Sequence, residues 1–390
     1  MLLENNPYPQ DIRVRSEAES LVAAGHRVEV VAPRADGQLA YERIRGVEVR
    51  RYRPYAADGR SMWGILLEYA VAVVALNAGA LRALARGATV LHLHNPPDIL
   101  FTAAVLFRLA GRRVVFDHHD LGPELVAVRF RSRWLVRLAT WSERLTFALA
   151  NHVLAANESH AQIARGRGGK QAREVTVVRN GPPSSWTRLP LRARDGKLNA
   201  VRLVYVGAIA AQDGVDALAE VLARLREHEP PLGAHLTVIG DGNARDSLEA
   251  ALARWRTADA VTITGWVAPE RVPELIQEAD VCVDPAPRSE LNDRSTMVKV
   301  AEYLALGKPV VAYDLLETER TAGGAAVLVP AGDTRAFAAA IAALAEDPAV
   351  RLDLAARARA RAQALTWECS QEALVSAYAS FGGTGTPRLR

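Results

Sequence analysis

Cysteine is nearly missing from this 390-residue chain: Cys282 and Cys369 are the only two. Two thiols make neither a disulfide framework nor a four-cysteine zinc site, so a reducing cytoplasm is the simpler setting. Lysine is scarce too. Forty-four of the 48 basic residues are Arg, and with the abundant Ala this fits a GC-rich coding sequence better than a binding function. The opening Met1-Leu2-Leu3-Glu4-Asn5-Asn6-Pro7-Tyr8-Pro9 lacks the charged segment, apolar run and cleavage site of a secretory leader, so none is expected. No uninterrupted apolar run reaches the roughly 18 residues of a spanning helix. The greasiest stretch, Trp63 to Ala85, is broken by Glu68, Asn77 and Arg82 and reads as a buried or amphipathic helix. Zinc-finger, RNA-recognition and helix-turn-helix patterns are absent, so nucleic acid is not an expected partner. Gly-x-Gly-x-x-Gly and Gly-x-x-x-x-Gly-Lys-Ser/Thr are missing as well, which removes the simplest support for a dinucleotide dehydrogenase or a P-loop phosphatase.

What is present is ordinary globular material, 49% hydrophobic and 24% charged, in a length that suits two or three domains. The net charge of +4 is unevenly spread. Residues 1–185 hold 25 Lys and Arg against 17 Asp and Glu, a net of +8, which leaves −4 for the rest. The first half alternates apolar β-rich runs with helical periodicity, the pattern of a parallel sheet covered on both faces. A helix over Asp11–Ala24 leads to strands at Arg27–Ala32, Val47–Tyr52, Val90–His94, Arg113–His118, His152–Ala156 and Glu174–Arg179, with helices near 63–86, 98–110 and 133–149. Met1–Glu4 supplies only a short first strand, and a start that misses several residues is the equal alternative.

The alternation restarts at Arg202–Gly207 and continues through strands at His235–Gly240, Val261–Gly265, Val281–Pro285, Pro309–Tyr313 and Val327–Val329. Helices fall at Gly214–His228, Ala244–Arg256, Val272–Ala279, Val298–Leu306 and Thr334–Leu344. The Gly181–Ser185 cluster and the polar Arg192–Asn199 segment bracket a linker. The expected architecture is α/β, two Rossmann-like parallel-sheet domains facing across a cleft, with domains at 1–185 and 186–372 and a closing helix or tail at 373–390 packing back on the first. Functional residues belong in the loops beyond the carboxyl ends of the strands.

Several loops there carry chemistry. Gly207-Ala208 and Gly240-Asp241-Gly242 end strands where glycine lets a phosphate or sugar approach the backbone, although a tight turn explains each alone. Ser295 or Thr296 can cap the helix that carries Lys299 and Glu302, aiming its free amides at a diphosphate. Lys299 and Glu302 share one helical face, so a plain surface salt bridge is the bland alternative. His92 and His94 lie on one side of a strand, and His118-His119-Asp120 ends another. No established ligand spacing supports a metal there, so none is expected. Arg129 to Arg137 mixes cationic and apolar residues, which suits either a solvated helix face or contact with an anionic bilayer.

From Asn5 to Ala18, and on to Val28, the chain resembles the first loop and helix of the family 4-like GT-B glycosyltransferases. Tyr205-Val206-Gly207, Ile239-Gly240-Asp241-Gly242, Gly265-Trp266-Val267, Ala279-Asp280-Val281 and Glu302–Val311 are similar to that group's donor domain in order and spacing. The resemblance implies retaining transfer from a nucleotide sugar bound by the second domain to an acceptor bound by the first. The implied donor-side residues are Gly207, Ala208, Gly240, Gly242, Trp266, Val267, Arg294, Ser295, Thr296, Met297, Lys299 and Glu302, with Glu302 holding the ribose. The implied acceptor side is Asn6, Tyr8, Asp11, Arg13 and His94. His118, His119 or Asp120 would orient the acceptor hydroxyl, with Glu124 a weaker candidate. The chain departs from the family twice: Arg294 stands where a sugar-contacting glutamate is common, and Asp213-Gly214 stands for Lys-Gly. Asn292 or Asp293 would then supply the polar contact, and Arg294 or Lys299 the positive charge.

No cofactor is required on this reading. The donor base (UDP, GDP or dTDP), the need for Mg²⁺, the acceptor and the oligomeric state stay open. An epimerase of similar fold and an inactive nucleotide-sugar binder are the alternatives. The expected place is the cytoplasm, with peripheral contact at the inner face of the membrane if the acceptor is lipid-linked.

Overall fold

The computed structural model describes residues 1–55, 62–96, 98–130 and 132–381; Arg131 and the tail from 382, part of the expected closing segment, lie outside these residues. The chain forms two compact units. One comprises Met1–Arg179 and returns from Cys369 onward; the other is Asn180–Glu368.

The first unit is built on a sheet of β1 (Glu29–Pro33), β2 (Tyr41–Ile44), β3 (Val47–Tyr52), β4 (Val90–His94), β5 (Arg113–His118), β6 (His152–Ala155) and β7 (Val175–Val177). β4 to β7 run parallel in that order, and β1 pairs parallel with β3. Leu2 joins the two sets by bridging Val31 on one side and Leu93 on the other. The expected first strand is thus a single bridging residue, placed where the strand order changes direction. β2 corrects the all-parallel expectation: it runs antiparallel to β3 through the tight turn at Arg45-Gly46. β4 and β5 are buried along nearly their whole length, as parallel strands covered on both faces must be.

Helices α1 (Ile12–Ala23), α2 (Met62–Ala85), α3 (Phe101–Leu109), α4 (Gly122–Phe130), α5 (Arg133–Leu149) and α6 (Glu158–Gly166) connect these strands. α4 and α6 were not anticipated. α1 starts where Asp11 accepts from the Val14 amide at 2.9 Å. α2, α3, α5 and α6 share one core with the sheet through Leu76, Phe107, Phe147 and Ala161.

The second unit holds a six-stranded parallel sheet in the order β10-β9-β8-β11-β12-β13. Its strands are β8 (Ala200–Val206), β9 (Gly233–Ile239), β10 (Val261–Gly265), β11 (Val281–Asp284), β12 (Val310–Tyr313) and β13 (Val327–Val329). Helices α7 (Ala217–Arg226), α8 (Arg245–Trp255) and α13 (Thr334–Glu346) cover one face; α11 (Val298–Ala305) and α14 (Pro348–Ala362) cover the other. α9 (Val272–Gln277) and two unanticipated short helices, α10 (Glu290–Arg294) and α12 (Leu316–Ala322), complete the unit. The chain leaves β8 towards β9 and later returns to β11 on its other side. That reversal opens a crevice at the carboxyl ends of β8 and β11, the place where open α/β sheets bind ligands.

α15 (Trp367–Phe381) carries the chain back into the first unit. There the Tyr378 hydroxyl lies 2.8 Å from His92 Nδ1.

Candidate functional site

In the second unit the loops after β8 and β9 meet backbone to backbone. Gly207 (φ 144°) and Gly240 (φ 139°) adopt conformations that side chains resist, and a Cβ on Gly240 would fall 2.0 Å from the Gly207 carbonyl oxygen. Ile209 donates to the Asp241 carbonyl at 3.1 Å, and Ala244 to that of Ile209 at 2.9 Å, which stitches the loops together. The result is a floor of bare backbone at the crevice.

Lys299, on the first turn of α11, reaches this floor. Its Nζ donates to Asp213 Oδ1 at 3.2 Å, lies 3.5 Å from Asp284 Oδ1 and sits 4.9 Å over the Tyr205 ring. Its Cε is 3.0 Å from where a Gly207 Cβ would be. Burial works against the charge, but Asp284, Tyr205 and Asp213 outweigh it and hold the ammonium above its ordinary range. Asp284 is itself raised, by burial first. Lys299 is therefore hydrogen-bonded to Asp213 and ion-paired with Asp284, not with Glu302.

Glu302, one turn further along α11, keeps a half-buried carboxyl, which burial pushes up to about 7 against the pull of Lys299. The expected caps of α11 are not caps. Met297 holds the N-cap position without a side-chain bond, and Ser295 closes α10 with its hydroxyl donating to the Leu291 carbonyl at 2.8 Å. Thr296 is half-buried between the two helices. Arg294 pairs with Glu290 at 3.0 Å, one turn back. Asn292 spends both amide hydrogens on backbone, donating to Gln212 and Pro287 carbonyls at 2.8 Å each, so it fastens the segment and is not a free contact. Asp293 accepts from the Leu316 amide at 3.4 Å. Ala208 is exposed and accepts the Tyr205 hydroxyl at 2.8 Å; Trp266 is 77% exposed, and Val267 packs on the core.

The first unit separates the two histidines that the sequence could not. Strand alternation turns His118 into the core, where its Nε2 meets Glu143 at 3.1 Å among Phe116, Phe147 and His160. Burial, with Arg167 next, drives its ring down to about 3. His119 faces the opposite way and retains some exposure; its Nδ1 lies 2.9 Å from Asp117 Oδ2. Burial opposes its charge, but Asp117 overcomes that and lifts it to about 9.

Asp117 is the hub of a buried cluster. Arg13 grips it with two bonds, Nε to Oδ2 at 2.7 Å and Nη2 to Oδ1 at 2.6 Å, and His94 Nδ1 approaches Oδ2 at 2.9 Å. Arg13 also lies 3.2 Å from Glu17, and the stacked His92 and His94 rings, 4.2 Å apart, close the cluster. Burial, with Asp117 next, raises Glu17 to about 8. Glu17, His92, His94 and Asp117 could hold a metal by distance alone. Arg13 already brings its own positive charge to both carboxylates.

Arg13 and His94, expected on the acceptor side, are thus turned inward. Tyr8 is also buried, its carbonyl accepting from Arg51, while Asp11 caps α1 and is reached by the exposed Asn6 at 3.3 Å. Glu124 pairs with Arg167 at 2.8 Å. Asp120 is half-buried, and its carboxyl is raised, mainly by burial. Asn95, Asp117, Glu17 and Tyr378 were missed. Asn95 Oδ1 accepts the amides of His119 and Asp120 at 2.9 and 3.2 Å and so fixes the loop. The one available signal was parity: Asp117 and His119 are two apart at a strand end that pairs with His94.

Two family descriptions match the chain. "Glycosyl transferase 4-like domain" covers residues 10–181 and "Glycosyl transferases group 1" covers 200–347. The alpha-D-kanosaminyltransferase of Streptomyces kanamyceticus is 31% identical over 173 residues, 44% of this chain and 43% of that protein. The chain spans about half the length of the curated relatives it matches. Among solved structures, sucrose-phosphate synthase from Thermosynechococcus elongatus superposes with a TM-score of 0.74 at 19% identity, covering 97% of this chain and 98% of that one. Anabaena HepE in complex with UDP and glucose gives 0.70 at 18%, covering 97% and 99%.

Proposed function

The chain belongs to the GT-B glycosyltransferases of the family 4-like type, and from that membership we propose that it moves a sugar from a nucleoside diphosphate donor to an acceptor hydroxyl with retention of configuration. The observation that carries the proposal is Lys299 beside the bare floor of Gly207 and Gly240, at the point where the second sheet reverses its strand order. Backbone without side chains admits a diphosphate closely, and a buried ammonium held by two carboxylates is positioned before the ligand arrives. In this reading Glu302, one turn on, accepts from ribose hydroxyls. Lys299 takes the part that the family's Lys-Gly would play, since Asp213 stands in its place.

In the reaction, the bond from the sugar C1 to the diphosphate oxygen breaks while the acceptor oxygen bonds C1 on the same face. The acceptor proton passes to the departing phosphate oxygen. The protein positions the partners and stabilises the leaving charge. His119 acts in the first unit: Asp117 takes its Nδ1–H, which leaves Nε2–H to orient a substrate oxygen. The acceptor is a glycan, lipid-linked or small-molecule hydroxyl, and the work place is the cytoplasm, at the inner face of the membrane for a lipid-linked acceptor. No cofactor is required in this scheme.

Thermal shifts with UDP, GDP and dTDP test the donor half of the proposal, because a ligand that binds only the folded chain raises its melting point. HepE with bound UDP and glucose supports trying UDP first. One nucleotide should stabilise the protein clearly, and Glu302→Ala should lose roughly tenfold in affinity for it. Equal, negligible shifts for all three, or an unchanged affinity in the variant, would count against it.

A further inference from the structure

The outer side of the helical layer in the first unit is unlike a surface meant for water. On α2, the described exposed positions from Leu67 to Ala85 are Leu67, Ala70, Val74, Ala78, Leu81 and Ala85, with Arg82 the one polar member. They recur every three or four residues and form a single stripe about 27 Å long at 1.5 Å per residue. A helix that packs one side on a core normally turns a polar side outward. The opposite side of α2 is indeed packed, with Leu76 and Ala80 fully buried, yet only 22% of the apolar window is covered.

The apolar surface continues across the layer. α3 packs between α2 and α5 and shows Leu109 at 82% exposure. On α5, Trp134, Leu138 and Trp141 stand on one side at 64%, 50% and 54% exposure, and the Trp141 ring meets Phe101 of α3 edge-on at 5.8 Å. Among described residues, α2, α3 and α5 carry five arginines against two acids, Glu68 and the buried Glu143. Beside α5, a shallow basin of about 330 Å³ is lined by Ala127, Ser132, Arg133, Val136 and Arg137.

We propose that this face, the outer side of α2, α3 and α5, is where the protein lies on an anionic phospholipid bilayer. Leu67 to Ala85 and the two tryptophans enter the interfacial region, the arginines reach up to headgroup phosphates, and the basin between α4 and α5 receives one headgroup. The charge selects this occupant. A two-fold contact with a second copy would bring the same arginines together, whereas an anionic surface neutralises them. Crossing the membrane is not an option for α2, because Leu76 and Ala80 are locked into the core of the unit.

Flotation of the full chain with vesicles tests the proposal. Vesicles of phosphatidylcholine with about one-third phosphatidylglycerol should carry the protein up at low salt, and pure phosphatidylcholine should carry much less. Val74→Glu and, separately, Arg133→Glu with Arg137→Glu should each lower the bound fraction roughly tenfold, while the unfolding midpoint and the nucleotide-induced thermal shift stay as in the parent. No flotation with anionic vesicles at low salt would overturn the proposal, as would flotation that neither variant changes. A dimer in light scattering that Val74→Glu dissociates, without vesicle binding, would also overturn it and make the face a protein interface.

Discussion

His119 and His118 are adjacent, yet Asp117 raises the pKa of the first and burial lowers that of the second, because strand alternation gives them different neighbours. His119→Ala should therefore cut turnover by about a hundredfold or more in steady-state kinetics with little change in donor affinity. His118→Ala leaves Glu143 short of a partner and opens a cavity, so its effect should be a loss of about 2–4 kcal/mol in denaturant unfolding. The cluster also sets a pH dependence. His119 binds its proton more tightly when folded, about 9 against 6.5, so the stability it contributes is complete below pH 6.5 and is lost as pH rises through 9. Glu17, raised from 4.5 to about 8, leans the same way between those values. Asp117, held low chiefly by Arg13 against the effect of burial, acts in the opposite sense, and its contribution is lost only in acid. The melting point should fall between pH 6.5 and 9, and His119→Asn should flatten that fall; a rise over this range would contradict the assignment. The sequence named both histidines and Asp120 but could not rank them. Which sheet face closes on Glu143 and which on Arg13 depends on α5 and α1, elements far away along the chain. Tyr378, which meets His92, is 286 residues distant and left no local signal.

At the scale of elements, the strands were legible because parallel strands buried on both faces read as unbroken apolar runs. The long helices were legible from their period. Short α10 and α12 have too few turns to show one, and β2 is half exposed and pairs antiparallel at an edge. The misread start of α11 has a specific cause. Ser295 and Thr296 look like caps, but α10 intervenes, takes Ser295 as its own end and leaves Met297 at the N-cap of α11. α11 therefore starts without a side-chain cap, and Lys299 stands on its first turn. Asn292 fastens this junction to the loops after β8 and β11. Asn292→Ala should cost about 1–3 kcal/mol in unfolding and weaken nucleotide binding along with it, because the junction carries Lys299. Stability lost with affinity untouched would detach α10 from the donor site. Tyr378→Phe should cost only about 1 kcal/mol, the scale of one hydrogen bond.

For the molecule as a whole, the sequence gives two α/β halves and their order of motifs, and the structure adds a return of the chain into the first unit through α15. The charge imbalance now has local meaning. The excess of arginine in the first half includes the arginines that border the apolar layer of α2, α3 and α5. Under the proposed function, the acidic half would meet a diphosphate through Lys299, which pairs with Asp213 and Asp284, and not through its net charge. On the same proposal the ammonium that the family's Lys-Gly would bring comes from α11, where Lys299 bonds Asp213. The measurement that tests glycosyl transfer most directly is mass spectrometry of the full chain incubated with a panel of nucleotide sugars, with and without glycan, lipid-linked and small-molecule hydroxyl acceptors. The account expects one donor to release its nucleoside diphosphate only when an acceptor is present, with a matching glycosylated product that Lys299→Ala abolishes. Isomerised donor without acceptor, or tight binding with no turnover across the panel, would contradict it.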